Sequence, residues 1–252
     1  MPTPALRPVL ARDGIFNARD LGGITTADGR IVRAGRLIRT DALHRARTSI
    51  GALRDHGVTK VLDLRDDRER DAYGIFDAEG IDVEHHPVLD PTFTWDEVPT
   101  RVPSDLLVER YQVILDEFSD RLVGAVCGVA EVMSTPDAAV AYHCAVGKDR
   151  TGLLTMLLLD TLGVSADQIV EDYARSSRST AVQVNWLWSM GRPEGVVDDE
   201  TLRVGVWSAR PATMAVTLEW LRDEHGGAEN YLVTAGLDPG AVGALRAGAL
   251  ED

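Results

Sequence analysis

The chain has 252 residues, of which 44% are hydrophobic, so it can bury one sizeable core and we expect a single domain over 1–252. Its formal net charge of −14 repels nucleic acid and anionic membranes at long range, and no local run of Lys and Arg reverses this. The 2 cysteines are too few for a disulfide framework, and neither a secretory signal nor a membrane-spanning apolar stretch is recognisable, which favours a cytoplasmic protein with reduced thiols.

Short apolar runs alternate with stretches of helical periodicity along most of the chain. Runs of β-branched or small apolar residues predict strands, and apolar residues at spacings of three and four predict helices. The predicted strands are 58–64, 81–88 and 138–142, the last of them apolar throughout and so expected to be covered on both faces. The predicted helices are 49–56, one long helix over 111–133 that includes Cys127 as a core residue, and 153–162, which ends at Gly163.

This alternation predicts an α/β fold with a mostly parallel central sheet flanked by helices, in which ligands bind at the carboxyl ends of the strands. Residues 175–213 interrupt the pattern, because they are polar and contain glycine and proline, yet also carry several tryptophans. We interpret 175–213 as a helical lid-like insertion within the single domain. Residues 212–250 return to helical spacing, with turns at 226–227 and 236–239.

The stretch HCAVGKDRTG, residues 143–152, lies between the third predicted strand and the helix after it. Cys144 and Arg150 are separated by five residues, so the loop can form a ring of backbone N–H groups at a helix N-terminus, which binds a tetrahedral oxyanion. Arg150 adds a planar fork of donors, Gly147 permits an unusual backbone angle, and His143 is expected to hold the loop through backbone hydrogen bonds. The expected phosphate-binding residues are Ala145, Val146, Gly147, Lys148, Asp149 and Arg150.

A cysteine in such a loop is a candidate nucleophile. Helix N-termini and nearby cations lower a cysteine pKa from about 8.5 to as low as roughly 3.5 to 7.5. We therefore expect Cys144 to be a thiolate that attacks phosphorus in line, forming a phosphocysteine that water then hydrolyses. Thr151 could donate a hydrogen bond to the sulfur as it leaves. The chemistry needs no cofactor or metal, and we expect none.

The motif H-C-x5-R-[ST]-G is the signature of the cysteine-dependent protein tyrosine phosphatase superfamily. HCAVGKDRTG resembles its bacterial tyrosine and dual-specificity branch, which also acts on phosphoinositides. Further segments resemble that family in the same order: FNARDLGG (16–23), GRLIRTDALHR (35–45), VLDLRDDRER (61–70), GIDVEHHPVLD (80–90) and IVEDYARSS (169–177). The resemblance implies a tyrosine-phosphatase-like sheet and a metal-independent phosphomonoester hydrolase, with phosphotyrosine-type protein substrates as the first expectation.

Two aspartates compete for the role of general acid, which protonates the leaving oxygen. Asp90 ends the segment 80–90, where many members of the family carry their acid, whereas Asp149 lies inside the loop itself. We favour Asp149 slightly and keep both. Asp149 could instead form an ion pair that orients Lys148 or Arg150, and Lys148 could be either a second positive charge at the mouth of the site or a plain surface lysine.

Other residues of the family-like segments are expected to have structural roles. Asn17, Arg19 and Asp20 resemble the amino-terminal block of the family and should brace the catalytic loop. Arg65 should pair with a neighbouring carboxylate, Asp63 or Asp66, in preference to an inserted phosphate.

Three alternative functions stay open. The same scaffold could hydrolyse a small phosphorylated metabolite or a phosphoinositide, because the fold and loop do not dictate what lies beyond the phosphate. A module that binds phosphate without catalysis is a second alternative, against which the intact set of Cys144, Arg150 and Thr151 argues. Sulfur transfer or arsenate reduction also uses a cysteine loop, but gives no reason for Asp149 or for the matching upstream segments.

Overall fold

The structure is a computed structural model and describes residues 6–89, 104–189 and 207–252. It shows strands and helices alternating through the first two thirds of the chain, then a run of helices closed by one short strand. The strands are β1 (Arg19–Asp20), β2 (Ile31–Val32), β3 (Leu37–Thr40), β4 (Val58–Asp63), β5 (Asp82–His85), β6 (Ala139–His143) and β7 (Leu250–Glu251). The α-helices are α1 (Leu6–Leu10), α2 (Ile50–Asp55), α3 (Asp67–Tyr73), α4 (Ser104–Glu117), α5 (Ser119–Met133), α6 (Asp149–Thr161), α7 (Ala166–Ser189), α8 (Pro211–His225), α9 (Ala228–Thr234) and α10 (Pro239–Ala249).

The central sheet has the strand order β1-β3-β6-β4-β5. Strands β3, β6, β4 and β5 run parallel, and β1 is antiparallel to β3 at the edge. His143, the last residue of β6, lies between Thr40 of β3 and Asp63 of β4 in the register. The carboxyl ends of three neighbouring strands therefore meet at one edge of the sheet, where parallel sheets place their ligands.

Both faces of the sheet are covered, and β6 shows why its sequence is apolar throughout. Val140 and Tyr142 belong to the larger hydrophobic core, which α4 to α10 complete. Ala139 and Ala141 point to the opposite face, into a smaller core that receives α1 and α2. Every residue of β6 is buried, as predicted for a strand covered on two sides.

The predicted elements agree with the structure except in the helix expected over 111–133. That stretch is two helices, α4 and α5, which meet at Phe118, whose backbone (φ −121°, ψ 28°) is not helical. Apolar residues recur at helical spacing through the break, because α4 and α5 both pack their apolar faces against the larger core. Periodicity alone therefore could not reveal the break.

The prediction that Cys127 is a core residue is wrong, because the structure leaves it exposed. Its neighbours Val126 and Gly128 are buried, but one residue along a helix rotates the side chain by about 100°. Glu131, one turn further along α5, is exposed on the same stripe. That glutamate was the sequence signal for a solvent-facing position.

The proposed insertion over 175–213 is helical over 175–189 and 211–213, and 207–210 are not helical. Residues 175–189 continue α7 without interruption, 211–213 begin α8, and 190–206 lie outside the described residues. The predicted turns at 226–227 and 236–239 separate α8, α9 and α10 as expected. Over the described ranges, none of the helices combines the length and apolar character needed to cross a membrane.

Candidate active site

The loop after β6 is held tightly against the end of β3. Gly147 has a positive φ of 69°, and a Cβ built on it would lie 2.5 Å from the carbonyl oxygen of Thr40. Only glycine satisfies both the backbone angle and the close approach. The N–H of Ala42, just beyond β3, donates a hydrogen bond to the carbonyl of Ala145 at 3.2 Å.

The carbonyl groups of this loop face donors from the surrounding framework. Asn17 Nδ2 donates to the carbonyls of Val146 (3.0 Å) and Gly147 (2.9 Å), and Arg39 Nη2 donates to that of Gly147 at 2.8 Å. The N–H groups of Ala145, Val146 and Gly147, by contrast, donate to no acceptor within the described part of the chain. Successive backbone N–H groups without acceptors are the donors that form anion-binding nests.

A buried ionic network fixes those framework donors. Asp172 on α7 pairs with Arg19 Nε at 2.7 Å and with Arg39 Nη1 at 2.5 Å, and Arg19 also donates to Asn17 Oδ1 at 2.6 Å. Burial opposes the charge of Asp172, but the two arginines hold the pKa of its carboxyl below the usual value. Asn17 and Arg19 thus lie where the family resemblance expects bracing residues. Asp20 does not, because it accepts from the N–H groups of Gly22 and Gly35 in a separate turn.

Cys144 is buried, with 1% of its surface exposed, at the junction of β6 and the loop. Its backbone N–H donates to Thr151 Oγ1 at 2.9 Å, so Thr151 lies at the base of the loop beneath the cysteine. Thr155 anchors this region one turn further along α6, by donating to the carbonyl of Thr151 at 2.7 Å. The threonine of the motif is therefore part of the loop scaffold as well as a neighbour of the cysteine.

Arg150 is held by a carboxylate that the sequence analysis did not single out. Its Nη1 and Nη2 donate to the two oxygens of Glu69, the second at 2.7 Å, while its Nε has no hydrogen-bond partner in the described residues. Burial opposes the charge of Arg150, but Glu69 and the nearby Cys144 raise its pKa above the ordinary value. The guanidinium is therefore a fixed positive charge whose Nε–H lacks an acceptor among the described residues.

Glu69 is itself oriented by a capping box at the start of α3. Its backbone N–H donates to Asp66 Oδ1 at 2.8 Å, and its Oε2 accepts from the N–H of Asp66 at 3.0 Å. The spacing of Asp66 and Glu69, immediately after β4, was the available sequence signal for this arrangement. The pairing with Arg150 had no such signal, because 81 residues separate the two partners.

Lys148 and Asp149 pair with each other in the structure. Lys148 is 1% exposed, so the interpretation as a plain surface lysine is wrong, and its Nζ lies 3.1 Å from Asp149 Oδ1. Tyr111 on α4, which the sequence analysis placed only as a core residue of a helix, donates its hydroxyl proton to the same oxygen at 2.6 Å. Asp90, the other candidate acid, lies outside the described residues.

A second buried ionic group lies beneath the loop. Arg65 donates to both oxygens of Asp63, at 2.9 and 2.7 Å, which confirms the first of its two expected partners. His143 is fully buried beside them, with Nδ1 3.1 Å from the carbonyl of Cys144, in keeping with a role in holding the loop. Burial lowers the pKa of His143 to about 4, although the charge of Asp63 acts in the opposite direction.

This depressed pKa makes the stability of the protein sensitive to acid. Because the pKa of His143 in the folded protein lies below the ordinary value of 6.5, the unfolded chain takes up the proton first as the pH falls. The stabilisation is complete above pH 6.5 and is lost between pH 6.5 and 4, by on the order of 3 kcal/mol. Denaturant unfolding of the wild type and His143→Asn over this range should show a weaker pH dependence in the variant. An equal slope would contradict the assignment.

The sequence matches one family model and several known proteins. The model of the tyrosine phosphatase family matches residues 10–251. A Cupriavidus necator protein named as a tyrosine-protein phosphatase is 30% identical over 227 residues, covering 88% of this chain and 82% of that protein. The triple specificity protein phosphatase PtpB of Mycobacterium tuberculosis is 27% identical over 271 residues, covering 92% of this chain and 96% of its own. The P. aeruginosa structure of TpbA matches at a TM-score of 0.32 and 16% identity, over 69% of this chain and 88% of that one.

The family match covers almost the whole chain and includes every element that builds the loop. The chain belongs to the tyrosine phosphatase family, and it is an enzyme of the cysteine-dependent type.

Proposed function

We propose that this protein hydrolyses phosphomonoesters at the loop 144–150, with Cys144 as the nucleophile and Arg150 as the phosphate clamp. The observation that carries the proposal is the set of donors left around the loop. Arg150 Nε and the amides of residues 145–147 lack acceptors among the described residues, while Glu69 accepts from Nη1 and Nη2 of Arg150. A tetrahedral dianion would satisfy these donors together.

The reaction consists of two displacements at phosphorus. The Cys144 thiolate forms the S–P bond as the bond from phosphorus to the leaving oxygen breaks, and Asp149 gives its proton to that oxygen. Water then attacks phosphorus and passes a proton to the Asp149 carboxylate, while the S–P bond breaks and inorganic phosphate leaves. Thr151 Oγ1, which accepts from the Cys144 N–H, keeps its own proton for the departing sulfur.

The choice of Asp149 over Asp90 rests on position, because Asp149 begins α6 within the loop itself. Asp149→Asn should lower kcat/KM about 10²- to 10⁴-fold for alkyl or phenyl phosphates with poor leaving groups. It should have little effect on aryl phosphates whose leaving oxygen needs no protonation. Asp90→Asn is the matched comparison. If Asp90→Asn shows the selective loss and Asp149→Asn does not, the acid is Asp90.

We propose phosphotyrosine-type proteins as substrates, following the names of the family and of its relatives. A panel of phosphotyrosine and phosphoserine peptides, phosphoinositides and small phosphorylated metabolites should give the highest kcat/KM with phosphotyrosine peptides. A higher value for a small metabolite would overturn this choice.

The segment 175–213 is proposed as a lid over the site, since α7 contacts the loop framework through Asp172 before it enters that segment. A reducing compartment keeps the nucleophile free, so we propose the cytoplasm as the location.

A further inference from the structure

Two buried tyrosines meet at the carboxyl group of Asp149. Tyr111 comes from α4 and Tyr173 from α7, and both rings are almost fully buried. Their hydroxyl oxygens are 2.7 Å apart, and the Tyr111 hydroxyl donates to Asp149 Oδ1 at 2.6 Å. The rings meet edge to face, with centroids 6.3 Å apart. No step of the proposed reaction uses either hydroxyl directly.

The number of protons fixes the direction of this hydrogen-bond chain. Each tyrosine hydroxyl carries one proton. Because Tyr111 gives its proton to Asp149, its oxygen accepts from Tyr173, and the chain runs from Tyr173 through Tyr111 to Asp149. Burial and the charge of Asp149 raise the pKa of both tyrosines, so both hydroxyls stay protonated.

The two oxygens of Asp149 are therefore not equivalent. Oδ1 receives the Tyr111 hydroxyl and lies 3.1 Å from Lys148 Nζ, whose ammonium group can only donate. Oδ2 has no hydrogen bond to any residue that the structure describes, and 12% of the side chain is exposed. A proton on this carboxyl group consequently belongs on Oδ2.

A glycine of the signature motif, Gly152, leaves space for the ring of Tyr173. A Cβ on Gly152 would lie 3.1 Å from Cδ2 of the Tyr173 ring, so the glycine leaves room for the ring against the first turn of α6. The helices that carry the two tyrosines, α4 and α7, both pack against α8. The tyrosine pair thus lies against the helix that begins with Asp149.

We propose that Tyr111 and Tyr173 are positioning residues that occupy Oδ1 of Asp149 and so make Oδ2 the oxygen that delivers the proton. The inference rests on the proposed function, in which Asp149 is the general acid. Without the Tyr111 hydroxyl only Lys148 holds Oδ1, so the carboxyl group is less firmly oriented and its proton spends less time on Oδ2. Proton delivery then slows, whereas attack by the sulfur does not.

The test compares Tyr111→Phe and Tyr173→Phe with Tyr231→Phe. Tyr231 is the matched control, since its buried hydroxyl donates to the carbonyl of Leu115 on α4, away from the loop. Tyr111→Phe should lower kcat/KM roughly tenfold or more for poor leaving groups, because hydrogen bonds to charged groups are among the stronger ones, and Tyr173→Phe should lower it less. All three variants should retain activity on good leaving groups.

A double-variant cycle separates positioning from a merely structural role. In an Asp149→Asn background, Tyr111→Phe should cause no further loss on poor leaving groups, because the proton is already absent. An additive loss, or an equal loss on both classes of substrate, would overturn the positioning role. If Asp149→Asn is selective for poor leaving groups and Tyr111→Phe is not, the tyrosine inference alone fails. If Asp149→Asn is not selective, the proposed acid fails and the inference fails with it.

Discussion

Cys144→Ser is expected to abolish turnover of every phosphomonoester, by on the order of 10⁴-fold or more, while oxyanion binding persists. A serine hydroxyl is uncharged at neutral pH and a far weaker nucleophile than a thiolate, and no neighbouring general base is proposed to activate it. The donors that hold the phosphate are the loop amides and Arg150, which the substitution leaves in place. Steady-state rates with an aryl phosphate and calorimetric titration with phosphate measure the two properties separately.

The chain supplies its own control for this experiment. Cys127 is a free, exposed thiol on α5, so Cys127→Ser should leave both the rate and phosphate binding unchanged. Orthovanadate should inhibit the wild type and the Cys127 variant alike, because it resembles the pentacoordinate state at phosphorus, whereas EDTA should inhibit neither. Full activity in Cys144→Ser would rule out the covalent route.

Arg150→Met is expected to lower kcat/KM about 10²- to 10³-fold and to destabilise the fold as well. The catalytic loss follows from removing the positive charge of the guanidinium together with its Nε–H, which has no acceptor among the described residues. The loss of stability has a different cause, since Glu69 would be left without its partner. Removing one member of a buried ion pair costs about 3–5 kcal/mol. Glu69 keeps 19% of its side chain exposed, so the lower end of that range is expected.

The double variant Arg150→Met/Glu69→Gln separates the two effects. Replacing the carboxylate removes the unpaired charge, so most of the lost stability should return in denaturant unfolding experiments, while kcat/KM should stay low. If activity returned together with stability, Arg150 would act as a structural residue and not as the phosphate clamp. The Glu69→Gln single variant completes this double-mutant cycle.

The errors of the sequence analysis have a common physical origin. The break at Phe118 and the exposure of Cys127 both lie on segments whose apolar spacing is correct overall. A hydrophobic pattern reports which face of a segment is buried, but it is insensitive to a single non-helical residue or to one side chain at the edge of the apolar face. The pairing of Asp149 with Lys148 agrees with one of the alternatives taken from the sequence, whereas the burial of Lys148 was not expected, because lysine is mostly exposed and only the fold encloses the pair.

The amino-acid sequence by itself determined the strand, loop and helix around Cys144 and Arg150, because the loop is formed by consecutive residues whose backbone geometry is local. The glycine needed at 147 and the cap at Asp66 are equally local signals. Only the tertiary structure decided which side chains hold the loop residues. Glu69 binds Arg150, Arg39 and Asp172 pair within the framework around the loop, and Tyr111, backed by Tyr173, binds Asp149. These partners come from strands and helices far apart in the chain. Nothing in the sequence indicates which other residue a charged or hydroxyl-bearing side chain will contact. The packing of the helices on the sheet brings them together.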